Sequence, residues 1–223
     1  YYTNPSSIYS PSRMVSKKVE EARGLIASTI GAEASEIYFT SGGSESDNWA
    51  IKKIMISRMN KGKHMITTKV EHHAVLESCK YLESLGFEVT YLNVNEDGLI
   101  DLNELESAIR EDTILVSIMA ANNEIGTLMP LKEIGSICKK HKVLFHTDAV
   151  QAYGNIPIDV NEMNIDLLST SAHKIEGPKG IGFLYVRKGV MITPLISGGM
   201  QEKGKRAGTT NAPGIIGFAK AAE

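Results

Sequence analysis

Thr113-Ile114-Leu115-Val116-Ser117-Ile118-Met119 is nearly all apolar. A strand wetted on one face alternates apolar with polar residues. This one does not, which predicts a strand covered on both faces, as in a parallel sheet flanked by helices. Val143 to Thr147 and Ile165 to Thr170 read as further strands of the same buried kind. Upstream, Glu36 to Thr40 and His64 to Thr68 are strand candidates, and Glu88 to Val94 alternates with a two-residue period. Helical patterns lie between them, from Glu45 to Met59 and from about Ala74 to Leu85. Asp101 caps a helix running to about Ile109. Pro130 opens another, which closes on Lys139-Lys140-His141-Lys142, cations suited to a helix C-terminus. Gly182 to Val186 and Met191 to Ile196 are expected to add strands near the glycine-rich end. Strand and helix in alternation predict an α/β domain with a mostly parallel central sheet.

The bulk composition fits that reading. The 223 residues are 42% hydrophobic and 22% charged, with a formal net charge of -2. Neither nucleic acid nor an anionic membrane is expected as a partner from that balance. No apolar run reaches the ~20 residues needed to span a bilayer. The chain opens on Tyr1-Tyr2-Thr3, with no signal peptide visible. Its two cysteines, Cys79 and Cys138, each sit in a helical pattern and read as reduced packing residues, so a cytoplasmic setting is expected.

In open α/β sheets, ligands bind outside the carboxyl ends of the strands. Five polar clusters follow predicted strands. Ser41-Gly42-Gly43-Ser44-Glu45-Ser46 opens a helix, where glycines let a ligand approach and the N-terminus favours phosphate. It is no dinucleotide fingerprint. The nearest match to a nucleotide-binding P-loop, Gly199 to Arg206, has Arg206 where a magnesium-binding hydroxyl is required. Glu71-His72-His73-Ala74 lacks the i,i+4 spacing of a helical zinc motif, so no metal is expected; one histidine would face the cleft as a flat ring or proton carrier. Ala121-Asn122-Asn123-Glu124-Ile125-Gly126 makes a turn whose amides could hold a ring substituent. His146-Thr147-Asp148-Ala149-Val150-Gln151 carries Asp148 at the end of an apolar strand, where a buried carboxylate needs a cationic or donor partner. Ser171-Ala172-His173-Lys174 places an amine that can form a Schiff base with an aldehyde cofactor. Any one cluster alone is more often structural. Together they suit pyridoxal phosphate, which needs a lysine for its aldehyde, a carboxylate for its ring nitrogen and a cradle for its phosphate.

These segments also carry a resemblance. Phe39 to Asn48, Glu71 to Val75, Asn122 to Gly126, His146 to Gln151 and Ser171 to Gly180 stand in the order and spacing of the cysteine desulfurases of the NifS/IscS type. Gly198-Gly199, Gln201-Glu202, Arg206-Ala207-Gly208-Thr209 with Asn211, and Asn4-Pro5-Ser6-Ser7 extend the match over essentially the whole chain. That family is the class V branch of fold-type I pyridoxal-phosphate enzymes. The resemblance implies a three-layer α/β/α large domain. Lys174 would bond the cofactor and later move protons. His72 would stack on the ring and assist proton transfer. Asp148 would keep the ring nitrogen protonated, Gln151 would contact the ring hydroxyl, and Asn123 would sit beside it near the substrate entrance. Ser44, Ser171 and His173 would bind the phosphate, with Gly43 in the same cradle. Thr209 would reach the phosphate of a second subunit, which implies a homodimer. The family usually has threonine where this chain has Ser44, and the hydroxyl is kept.

The resemblance further implies an N-terminal segment before Asn4 and a C-terminal small domain after Glu223. The latter would carry the nucleophilic cysteine and the arginine that binds the substrate carboxylate; neither Cys79 nor Cys138 matches that cysteine. Residues 1–223 are thus expected to be the cofactor-binding large domain of an enzyme that converts L-cysteine to L-alanine. Its sulfur would pass through an enzyme persulfide to an acceptor or scaffold protein, for iron–sulfur clusters or other thio-products. Alone, the chain is expected to bind cofactor and dimerise without turning over cysteine. A selenocysteine lyase, another class V aminotransferase and a truncated dimerisation scaffold are the alternatives.

Overall fold

A computed structural model describes residues 3–223. Helix α1 (Ser10–Ser28) leads into strand β1 (Ile37–Thr40), followed by α2 (Gly43–Ser57), β2 (His64–Thr68), α3 (His73–Ser84) and β3 (Glu88–Leu92). Then come α4 (Leu102–Ala108), β4 (Thr113–Ser117), α5 (Leu131–His141), β5 (Leu144–Asp148), β6 (Leu167–Ser169), β7 (Gly182–Val186) and α6 (Ala212–Ala222). Among the described residues the seven strands form one sheet, ordered β1-β7-β6-β5-β4-β2-β3. β2, β3, β4, β5 and β6 pair in parallel, whereas β7 is antiparallel to both of its neighbours, β6 and β1. β1 therefore points the same way as the parallel set. The reversal of β7 has a plain cause: the connection from β6 returns from the same edge without crossing a face of the sheet, and a parallel neighbour needs such a crossing.

Alternating side chains of each strand feed two cores. Leu115, Leu167, Leu184 and Met65 pack with Trp49 and Ile54 of α2 and Val75 and Leu82 of α3. Val116, Leu168, Phe183 and Ile66 face the other way, toward Ile26 of α1, Leu105 of α4, Ile134 of α5 and Phe218 of α6. These are the expected three layers. Local chemistry sets the helix ends. The Asp101 carboxylate accepts the Asn103 N–H at 2.8 Å, capping α4. Lys139, Lys140 and His141 fill the last turn of α5, and Lys142 closes it in the left-handed region at φ 60°.

Predicted strands and helices fall within a few residues of those observed, except at the glycine-rich end. Met191 to Ile196 forms no strand. Pro194 has no N–H to give, and two carbonyls of the run are taken by side chains. Trp49 Nε1 donates to the Thr193 carbonyl at 2.8 Å, and Lys205 Nζ to that of Ile192 at 2.9 Å. Two helices, α1 and α6, were not anticipated. Val15, Val19, Ala22 and Ile26 carry the 3–4 residue spacing of α1 on its buried face, and Asn211 and Pro213 open α6.

The 198–210 loop is tied to the body by Glu202, whose Oε2 accepts Arg23 Nη1 at 2.7 Å and the Phe39 N–H at 2.9 Å. Arg23 Nη1 also donates to the Ile37 carbonyl at 2.8 Å, and both charged side chains are buried. Breaking a buried pair leaves an uncompensated charge, so Glu202→Ala should cost about 3–5 kcal/mol in urea unfolding, and a loss near zero would show that the loop does not hold the guanidinium.

Candidate functional site

Because six strands share one direction, the segments leaving β1, β2, β4, β5 and β6 emerge at one edge. They enclose a cavity of about 220 Å³ lined by Gly43, Ser44, Asp47, His72, Met119, Ala121, Asn123, Asp148, Val150, Gln151, Ser171, His173 and Lys174. Every expected site residue except Thr209 is in that lining. Thr209 is exposed on the 198–210 loop. A larger depression of about 530 Å³ lies at the opposite edge, around Arg58, Thr113 and Leu144, and contains none of the expected residues.

The cradle is built from backbone. Gly42 has φ 148°, a region unfavourable to any side chain, and a Cβ on Gly43 would come within 2.5 Å of Val150 Cγ2. With this pair the chain turns from β1 directly into α2, whose first N–H groups have no partner within the helix. Ser44 lies in that first turn. Ser171 Oγ and His173 Nδ1 are 2.7 Å apart on the far wall. Burial and the nearby Lys174 and Lys179 charges hold the His173 pKa down.

At the other end, Asp148 terminates β5 and is buried. Its Oδ1 accepts the Val150 N–H at 2.9 Å, and burial raises its pKa. Among the described residues no lysine or arginine pairs with it. His72 caps α3, its Nδ1 accepting the Ala74 N–H at 3.1 Å, which leaves the proton of a neutral ring on Nε2. Asp47, His72 and Asp148 each bring one ligand atom within 4.8 Å of the others, an arrangement suited to one positive charge. Lys174 stands in a short 3-10 turn, Ala172–Ile175, exposed and without an acidic partner among the described residues.

The two asparagines divide their work. Asn122 is spent on the turn: its Nδ2 donates to the Val70 carbonyl at 3.0 Å and its Oδ1 accepts the Glu124 and Ile125 N–H groups at 2.9 and 3.1 Å. Asn123 is exposed at the cavity mouth.

Sequence reasoning missed the polar groups beneath the cavity. His146 is fully buried, with Nδ1 2.8 Å from Ser117 Oγ and Nε2 2.9 Å from Ser169 Oγ. Burial holds its pKa down to about 3, so it is a neutral bridge across three strands. Asp47 falls inside the Phe39 to Asn48 segment, where the sequence gives it no role of its own. The signal was available: Gly43, Ser46, Asp47, Ala50, Ile51 and Ile54 form the buried stripe of α2, and an acid in an apolar stripe needs a reason. Glu71 was passed over beside the two histidines. It is buried, with Oε1 accepting the Thr68 hydroxyl at 2.8 Å and the Met119 N–H at 3.0 Å, tying the His72 segment to the end of β4.

The fold and site together define an α/β protein of the open-sheet type, with a candidate site at the carboxyl edge that gathers one lysine and two buried acids, Asp47 and Asp148. Residues 1–223 match the sequence profile of the aminotransferase class-V family, and the chain belongs to it. It is 59% identical over 222 residues to cysteine desulfurase IscS of Methanosarcina thermophila, covering all of this chain and 55% of that protein. It is 55% identical over 224 residues to a mitochondrial cysteine desulfurase of Candida maltosa, covering 99% of this chain and 46% of that one. A solved NifS-like protein superposes with a TM-score of 0.97 at 47% identity, over 99% of this chain and 61% of the other. SspA in complex with cysteine superposes with a TM-score of 0.96 at 46% identity, over 99% and 64%. The chain thus spans about half the length of the curated relatives it matches. Cysteine desulfurases and class-V aminotransferases are pyridoxal-phosphate-dependent families. No helix among the described residues is long and apolar enough to cross a membrane.

Burial pushes the Glu71 pKa from its ordinary 4.5 up to about 8, although the Met119 N–H and Thr68 hydroxyl oppose it. The unfolded chain therefore gives up this proton at lower pH than the folded one, and stability is lost as pH rises from 4.5 toward 8. Glu71→Gln removes that dependence. In cofactor-free protein, the melting temperatures of parent and variant should diverge with rising pH across this window, the parent falling further. A constant difference would mean Glu71 is ionised throughout.

Proposed function

We propose that the chain is the pyridoxal-phosphate-binding large domain of a cysteine desulfurase, and that the site residues act as follows. The observation that carries the reading is the placement of Lys174, Asp148 and His72 in one cavity with the glycine-built N-terminus of α2. Each end of that cavity suits part of the cofactor. Asp148 is a buried carboxylate that no lysine or arginine among the described residues pairs, and Gly43, Ser44, Ser171 and His173 offer N–H, hydroxyl and imidazole groups to a phosphate. When bound, pyridoxal phosphate supplies an aldehyde that takes up an amine and a ring that draws electrons from the substrate.

The chain's own residues do the rest. Lys174 presents an amine with no acidic partner among the described residues and, when not bonded, can hold or carry a proton. Asp148 would keep a proton on the ring nitrogen. His72 would lie against the ring and offer Nε2 for proton transfer, while Gln151 and Asn123 would present amides toward the ring hydroxyl. The alternating apolar floor, Met119, Ala121 and Val150, excludes water from one side.

In the whole protein, L-cysteine would yield L-alanine, with the sulfur taken as a persulfide by a cysteine outside this chain and passed to an acceptor protein. The cysteine seen with SspA, a relative of nearly the same large-domain fold, supports that substrate. Burial pushes both Cys79 and Cys138 up to about 12, which makes neither a nucleophile. Both are unpaired, in keeping with a reducing compartment such as the cytoplasm. Thr209 is exposed away from its own cavity, where it is free to serve a second copy in a homodimer.

Borohydride reduction after adding pyridoxal phosphate, followed by intact mass and peptide mapping, tests the reading. One phosphopyridoxyl group on Lys174, absent in Lys174→Ala, is expected. Scattered labelling of surface lysines would defeat the assignment. The chain alone should release no alanine from cysteine in repeated turnovers.

A further inference from the structure

The buried stripe of α2 contains one acid, and its surroundings assign it a charge state. Asp47 is 1% exposed and lines the cavity beside Asp148. Its Oδ1 is buried with no hydrogen-bond partner among the described residues. The nearest basic atom is His146 Nε2 at 3.7 Å, but that nitrogen is already engaged by Ser169 and its ring is neutral. The groups facing Asp47 are Asp148 and His146 from β5, Glu71 and His72 from the segment between β2 and α3, and His173 and Lys174 from the turn after β6. Of these, the two other carboxyls are buried, while the lysine and both remaining histidines are exposed. A carboxyl oxygen of Asp47 and one of Asp148 lie within 4.8 Å, in a space shielded from water. Two ionised carboxylates cannot share such a space without a counter-charge, so the pair keeps one proton.

Burial, neighbouring charge and the partners of each oxygen together decide which member keeps it. Asp148 Oδ1 accepts the Val150 N–H at 2.9 Å, a bond that favours the ionised form. Asp47 Oδ1 receives no such donor. Burial and the charges of Asp148 and Glu71 favour a proton on Asp47; a hydrogen bond from Ser169 opposes them but is weaker than burial and the Asp148 charge.

We propose that Asp47 is a positioning residue that works in its neutral form, leaving Asp148 as the ionised carboxylate that meets the ring nitrogen of the cofactor. This rests on the cofactor reading given above. A neutral Asp47 keeps the negative charge at one atom group and prevents a second carboxylate from drawing the ring nitrogen or the Lys174 ammonium out of line. An amide should therefore replace it.

Two measurements test this on the full-length protein. In the first, the infrared spectrum of protein carrying isotopically labelled aspartate is recorded at neutral pH, with and without pyridoxal phosphate. A label-shifted carbonyl band of a protonated carboxyl is expected in both, and is expected to vanish in Asp47→Asn. In the second, pyridoxal-phosphate affinity should stay within about threefold in Asp47→Asn, while Asp148→Asn loses about tenfold or more, as befits a hydrogen bond to a charged group. Absence of the band, its survival in Asp47→Asn, or an affinity loss there as large as in Asp148→Asn would overturn the proposal. If Asp47→Asn does not fold, the labelled parent still decides: the band must be present and must persist after loading with cofactor. The infrared measurement on cofactor-free protein needs no ligand, so a failure of the cofactor reading would show separately, as absent binding by the parent.

Discussion

Strands that run the same way must end at the same edge, and most of this molecule follows from that. Parallel neighbours cannot be joined by tight turns, so their connections cross a face of the sheet, and all but the one from β5 to β6 lay a helix on it. The helices bury both faces, which is why β4 and β2 are buried along their whole length. Polar side chains can then collect only where the strands stop. Ser117, His146 and Ser169 mark the transition, one residue from each of three adjacent strands, bonded side to side. Beyond them the chain emerges, and the residues of the cavity begin.

The same constraint gives the site its electrostatics. Asp148 is fixed by the sheet itself, its carbonyl accepting the Ala120 N–H at 2.8 Å as the ladder continues past β4. It cannot swing out to find water. Asp47 is held over it by a packed helix, and Glu71 is held by the end of β4. Three carboxyls are thus buried by their scaffolds while the amine that would balance them, Lys174, sits on an exposed turn. Burying unpaired charge is costly enough that such groups either take up a proton or receive a cationic partner. A ligand carrying one positive ring nitrogen and one anionic phosphate satisfies both ends of the cavity at once. That is a physical reason for the site's polarity, independent of any likeness to other proteins.

Much of this was legible in the sequence because apolar runs and strand-end polarity are local signals. The buried strands could be read from unbroken hydrophobicity, and the cluster residues from their position just after each one. Lys174, Asp148, His72 and the Gly43-Ser44 turn were found that way, and they line one cavity. What escaped was set by distant partners. The run at Met191 to Ile196 is as apolar as a strand, but its carbonyls are claimed by Trp49 and Lys205. The His146 bridge needs serines 29 and 23 residues away, and no local pattern announces such a pairing. α1 was overlooked for another reason: its polar residues outnumber its buried ones, so its stripe is clear only once the spacing is counted.

The division of the chain into wall and brace explains how a chain about half the length of its curated relatives encloses this cavity. Every lining residue falls between Gly43 and Lys174. The residues after them build none of the cavity, but they hold it in shape. β7 inserts between β1 and β6, fixing the glycine turn relative to the lysine turn. Glu202 locks onto Arg23 beneath β1. Arg206 grips both oxygens of Glu45 at 2.8 and 3.0 Å, and Glu45 Oε2 in turn accepts the Ser41 N–H at 2.8 Å. The last of these contacts sits in the first turn of α2, directly behind the cradle. Both the wall of the cavity and its brace therefore lie within residues 3–223. Chemistry at sulfur is of a different kind. It requires an accessible thiolate, and both thiols of this chain are buried in the helices that cover the sheet.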